Sequence, residues 1–396
     1  MALFSRRSWF LISTAFAIKT LVTIMMPAYI SSDFVDWVHL TQLMSSQVQA
    51  GMIPQLSGYG AYAFMGLFLV PFFLAWSALP IAHPACAACL LSQSFSVGEL
   101  SLNFMMKLPI MLCDLFTGIM ISIISRKFKS GVAARAFWIW YLNPFTTFLM
   151  ELNGTIDIIP TFVFLCACYL GLKRRWFWSG FLLFISCIMR FFPIFAFPFL
   201  ALYALREKSK RGISMFLTSF GLSILAVISV EAAIVGSFGG LVGVISFVLA
   251  NQPWLLAFLG FSVSSFVNLT PFLVIIQIYF VARYWKANAS VVDSALVGVL
   301  VLLLASYHQP YDVTWILPLI TIYYIVNSDW TLLYTLLFIT SFLYYLVFNA
   351  TDVTLIYLQP LFAGLFYGVK GVYLLRVNFK AFGWKRETVR KYLVGH

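Results

Sequence analysis

Two carboxylates three residues apart, Asp33 and Asp36, interrupt the oily N-terminal stretch at ISSDFVDWVH, in a chain that has only 13 acids among 396 residues. A carboxylate just beyond an apolar run can cap a short helix. It can also act as a general base, or the pair can hold a divalent cation such as Mg or Mn beside a phosphate. All three uses are open for Asp33 and Asp36.

Three further polar breaks carry candidate chemistry. In LNPFTTFLMELNGTIDIIP, residues 142–160, Glu151, Asn153 and Asp157 occupy a turn between apolar runs, where Asn143-Pro144 and Asn153-Gly154 are also ordinary turn formers. In MRFFPIFAFP, Arg190 is embedded in aromatic residues. Its planar fork suits a phosphate, and it could equally serve as the ion-pair partner of an intramembrane acid such as Asp114 or Glu231. In SYHQPYDVTWILP, residues 306–318, His308, Gln309, Tyr311 and Asp312 form the densest hydrogen-bonding cluster of the second half.

The elements that must position these groups follow from composition. The chain is 62% hydrophobic, 18% aromatic and 10% charged, with mean hydropathy +0.95. Such a balance implies a polytopic membrane protein, and backbone hydrogen bonding in lipid makes the spans helices, so the expected fold is all-α. A single integral membrane domain over 1–396 is expected, with a first extracytoplasmic loop at 31–60 and a basic cytoplasmic tail at 377–396. Spans are predicted near 8–29, 61–80, 103–125, 135–150, 156–172, 177–204, 214–235, 255–282, 292–308, 311–327, 330–349 and 353–375. With the uncertain crossings this makes about 10–13 transmembrane helices. In the first loop, Phe34, Trp37, Leu40, Met44 and Val48 recur at helical spacing, predicting a short interfacial helix with Ser32 as its N-cap. The run 176–205, which is too long for one helix and holds Arg190, Pro193 and Pro198, predicts a broken hairpin facing a cavity.

Net charge is +12, but the basic residues cluster in short loops such as Arg6-Arg7, Arg126-Lys127-Lys129 and Lys173-Arg174-Arg175. These are expected on the cytoplasmic side, with the N-terminus inside and the four polar breaks converging outside. No basic groove interleaved with aromatics is present, which argues against nucleic acid as a partner. The first apolar run reads as a retained helix and not a cleaved signal. Charge parity between Arg7 and Arg126 requires either that HPACAACLLSQSFSVG, residues 83–98, crosses or that one segment is re-entrant. Cys86 and Cys89 beside His83 have metal-like spacing but no second ligand pair, and Cys113, Cys166, Cys168 and Cys187 read as packing residues.

The order of the acidic motif, KLPIMLCDL, WIWYLNPFTTFLMELNGTIDIIP, RFFPIFAFP and SYHQPYDVTWILPLI resembles the superfamily C (GT-C) glycosyltransferases over residues 30–320. Within that group it is most similar to the catalytic subunit of GPI mannosyltransferase I and to prokaryotic polyprenyl-phosphate-mannose-dependent mannosyltransferases. The resemblance implies a GT-C-like bundle whose first outer loop carries catalytic acids, Asp33 or Asp36. It implies a polyprenyl-phosphate sugar donor, such as dolichyl phosphate mannose, and a glycolipid or glycan acceptor, in the ER lumen or outside the plasma membrane. Asn153, Asp157, Gln309 and Tyr311 would contact substrate, while Arg190, Lys107 and His308 would hold the donor phosphate. A small accessory membrane subunit is a further possible partner. Two departures stand out: the acids are spaced Asp-x-x-Asp and not Asp-x-Asp, and Arg190 stands where lysine is common. A transporter of a lipid-linked or small solute, or a non-catalytic assembly subunit, would also use intramembrane charges.

Overall fold

The computed structural model describes residues 6–25, 32–52, 63–81, 96–190, 192–206, 210–235, 278–279, 281, 290–305, 310–326 and 331–348, with single positions 365, 368, 369 and 372. Among them every regular element is helical, as the apolar periodicity predicts. The chain divides into two compact units: Met1–Leu165 with Ile188–Arg190 and Ile224–Leu249, and Cys166–Cys187 with Phe191–Ser223 and Ala250–His396.

The first unit is built on α4, Val97–Phe128, whose 32 residues span about 48 Å at 1.5 Å per residue, longer than a bilayer's hydrocarbon core of about 30 Å. A capping box starts it: Ser96 Oγ accepts from the Glu99 amide and Glu99 Oε2 accepts from the Ser96 amide. Around it stand α1 (Arg6–Met25), α2 (Ser32–Gln49), α3 (Ala63–Ser77) and α5 (Ala133–Tyr141). The α2 helix buries Phe34, Trp37 and Met44, and Met44 and Leu40 fill the groove at Gly66 of α3.

The predicted span at 135–150 is not one helix. It ends at Tyr141, restarts as the short α6 (Pro144–Thr147) and continues as a π-helical turn, Phe148–Leu152. The cause is local: Asn143 Oδ1 accepts from the Phe145 amide at 2.9 Å, and Pro144 at the first helical position cannot donate backward. After this turn comes α7, Ile158–Leu172.

Of the broken hairpin expected at 176–205 the break is present, in a run that belongs to the second unit apart from Ile188–Arg190. The α8 helix (Trp176–Met189) is followed by a 3-10 turn (Phe192–Ala196) and α9 (Phe197–Arg206). Here α11 (Val291–Ala305, following α10, Lys210–Val235) crosses the 3-10 turn at Gly298, where a Cβ would stand 2.6 Å from the Phe195 carbonyl oxygen. A 3-10 turn (Pro310–Trp315), α12 (Leu317–Val326) and α13 (Thr331–Phe348) complete the described elements, and the Phe192 and Trp315 rings stack at 4.7 Å.

Two helices, Val97–Phe128 and the Lys210–Ser229 part of α10, are long and apolar enough to cross a membrane. Shorter apolar helices accompany them. The spans predicted at 255–282 and 353–375, the HPACAAC segment and the basic tail lie outside the described residues, apart from isolated positions.

Candidate functional site

Six charged side chains gather inside the first unit. At one end, Lys19 of α1 is 5% exposed, and its Nζ lies 2.8 Å from Asp114 Oδ2 and 3.0 Å from Glu151 Oε1. The ammonium also sits 4.1 Å from the Tyr141 ring centre, and Asp114 Oδ1 accepts from Trp140 Nε1 at 2.9 Å. A buried lysine in a helix that carries no other charge beyond Arg6 and Arg7 at its start needs such partners, because an unpaired buried ammonium is costly. Trp140 is brought to Asp114 by Gly118, which lets the α5 ring lie against α4.

In the middle, Lys107 of α4 is fully buried and its Nζ donates to the carbonyls of Glu151, at 3.1 Å, and Leu152, at 2.6 Å. It therefore satisfies carbonyls left over where the π-helical turn ends. Lys107, expected at the donor phosphate, donates here to the two carbonyls of the turn.

The chain then reverses through Asn153 and Gly154. Gly154 has φ +76°, a left-handed conformation that glycine adopts without strain. Asp157, fully buried just before α7, accepts from Arg190 Nε, and Arg190 emerges at the non-helical residue that ends α8. Arg190 thus pairs with Asp157, and Asp114, one of the two partners anticipated for it, pairs with Lys19.

The α2 helix meets this assembly twice. The Phe34 ring lies 5.4 Å from Lys107 Nζ and packs on Gly154, while the Trp37 ring lies 5.9 Å from the Arg190 guanidinium carbon. Asp36, the residue before Trp37, is exposed. Asp33 is on the helix, but its side chain lies outside the described residues, as do His308 and Gln309. Tyr311 belongs to the 3-10 turn of the second unit, and only its backbone is described.

Charge is balanced across the cluster, with Lys19, Lys107 and Arg190 set against Asp114, Glu151 and Asp157. Several buried atoms have no hydrogen-bond partner among the described residues: Glu151 Oε2, Asp157 Oδ2 and both polar atoms of Asn103. Such atoms are where a ligand hydroxyl or ordered water is accommodated. No three His, Cys, Asp or Glu side chains are grouped to hold a metal among the described residues.

Lys19 is the residue that motif reading passed over. Its signal was present: a single cation inside FLISTAFAIKTLVTIMM, a run with no other charge. No family model matches the chain, and no characterised protein matches it in sequence.

Proposed function

We propose that this protein is an inverting glycosyltransferase that moves a hexose, mannose by the resemblance described above, from a polyprenyl-phosphate donor to a hydroxyl acceptor on the extracytoplasmic side of a membrane. The observation that carries the proposal is the meeting of three segments far apart in sequence. The helix bearing Asp33 and Asp36 is joined through Phe34 and Trp37 to the acidic turn and to Arg190. The apolar side chains exposed on the helices, among them Phe10, Phe116, Trp178 and Leu225, suit a polytopic protein whose surface faces lipid.

In this reading Asp33 is the base. It lies one helical turn before the buried Trp37, whereas Asp36 is exposed. The carboxylate takes the proton of the acceptor hydroxyl as its oxygen bonds to the anomeric carbon. The bond from that carbon to the lipid phosphate breaks, and the phosphate leaves with the electron pair. Arg190, oriented by Asp157, stabilises the departing charge. A single displacement inverts the anomeric configuration.

The test is sugar transfer from radiolabelled polyprenyl-phosphate mannose in membranes. Asp33→Asn lowers the rate by about 10² to 10⁴, the usual contribution of a positioned base, and the product of the unaltered protein is inverted. Full activity of Asp33→Asn, or a retained configuration, overturns the assignment.

A second reading has its own support. The Lys19–Asp114–Glu151 cluster lies near the middle of α4, where a transporter places a coupling site. Solute or lipid uptake into proteoliposomes, lost in Asp114→Asn while no sugar is transferred, would favour it.

A further inference from the structure

Glu151 is tied down from two directions. Its side chain accepts from Lys19 of α1 at 3.0 Å, and its own carbonyl accepts from Lys107 of α4 at 3.1 Å. The residues it precedes are those of the turn: Asn153, whose amide donates to Phe148, Gly154 against Phe34, Thr155, whose amide donates to Leu149, and Asp157 on Arg190. A π-helical turn is a poorly preferred conformation and persists where its surroundings impose it. Here the two lysines impose it, and they come from two different helices.

Lys19 divides itself between two acids that differ in one respect. Asp114 sits in mid-helix on α4 and carries no part of the turn, whereas Glu151 is part of it. We infer that Glu151 is a positioning residue: through Lys19 it fixes the turn that presents Asp157, and with it Arg190, to the leaving phosphate of the donor. This rests on the transfer reading above. Asp114 has the complementary duty of neutralising the second half of the Lys19 charge and anchoring Trp140.

The pair supplies its own control. Asp114→Leu and Glu151→Leu remove the same charge and each leaves Lys19 one carboxylate, while Asp114→Leu also frees Trp140 Nε1, so a purely structural cluster responds to Asp114→Leu at least as strongly as to Glu151→Leu. Two measurements separate the cases in the full-length protein in nanodiscs: amide hydrogen exchange of the segment 148–157 and transfer kinetics with polyprenyl-phosphate mannose. Glu151→Leu is expected to speed exchange at Asn153 and Thr155 by about tenfold or more, local opening being set by the ties that are lost. It lowers kcat by a similar factor, since misplaced groups act mainly on the transition state. Asp114→Leu leaves both within about threefold, with exchange rising instead around Trp140.

Equal effects of the two variants on the turn and on kcat overturn the inference, as does wild-type exchange in Glu151→Leu. Failure of both variants to accumulate as folded protein makes the cluster a folding element only and overturns it as well. If the unaltered protein transfers no sugar, the transfer reading fails by itself, and the exchange measurement still decides whether Glu151 holds the turn.

Discussion

Phe34 of α2 closes over Gly154: a Cβ on that glycine would stand 2.7 Å from Phe34 Cδ2 and 3.2 Å from Lys107 Cε. The first acidic helix and the acidic turn therefore meet without room for even one methyl group between them, though they are about 120 residues apart in the chain.

That closeness predicts a difference between two glycines of the same backbone conformation. Gly131 also has positive φ, +78°, but nothing within 4 Å of its Cβ position. Gly131→Ala is expected to cost about 1 kcal/mol of backbone strain. Gly154→Ala adds an overlap with Phe34 of about 1–3 kcal/mol. Thermal denaturation of the two variants in detergent should rank them in that order, and equal midpoints would refute the packing described.

Lys19→Met leaves two buried carboxylates without their shared cation. Breaking a buried pair from one side costs about 3–5 kcal/mol, so little folded protein should accumulate. Adding Asp114→Asn and Glu151→Gln removes the stranded charges and should recover most of the loss. Size-exclusion profiles and melting midpoints of the single and triple variants check this.

Lys107→Met removes both donors from the Glu151 and Leu152 carbonyls. Each stranded acceptor costs about 1–3 kcal/mol. The expected signature is a lowered melting midpoint with faster hydrogen exchange at 151–155, and not a selective rise in KM for the phosphate donor. A change confined to KM would return Lys107 to the phosphate.

Arg190→Lys keeps the charge but loses the planar fork that meets both a carboxylate and a phosphate. With the Asp157 contact made through Nε, the variant is expected to raise KM for the donor by about tenfold while protein yield stays near normal, the typical cost of one lost oriented contact. Parallel titrations of donor lipid for the two proteins decide it.

Much of the helical architecture is legible in the sequence. Apolar periodicity predicts a first helix over 8–29, and the helix runs Arg6–Met25; the break near Arg190 follows from Pro193 and Pro198. The apolar stripe predicted for α2 has Phe34, Trp37 and Met44 buried, although Val48 at its end is exposed. The π-helical turn was hidden, because the run 135–150 looks uniformly apolar and the cue at Asn143-Pro144 reads as an ordinary turn. The pairing of charges was hidden for a different reason. Asp114, Glu151 and Asp157 each invite a cation, and one chain offers several; only packing decides that Lys19 goes to the first two and Arg190 to the third.

The separation of Lys19 from its partners bears on biosynthesis. Asp114 is made 95 residues after it and Glu151 132 residues after it. A nascent first helix thus leaves the ribosome carrying a cation that it cannot yet shelter. The ammonium stays without its acidic partners until the fourth helix is made. Truncations that stop short of residue 114 leave Lys19 without either acid and should yield chains that do not accumulate as folded protein.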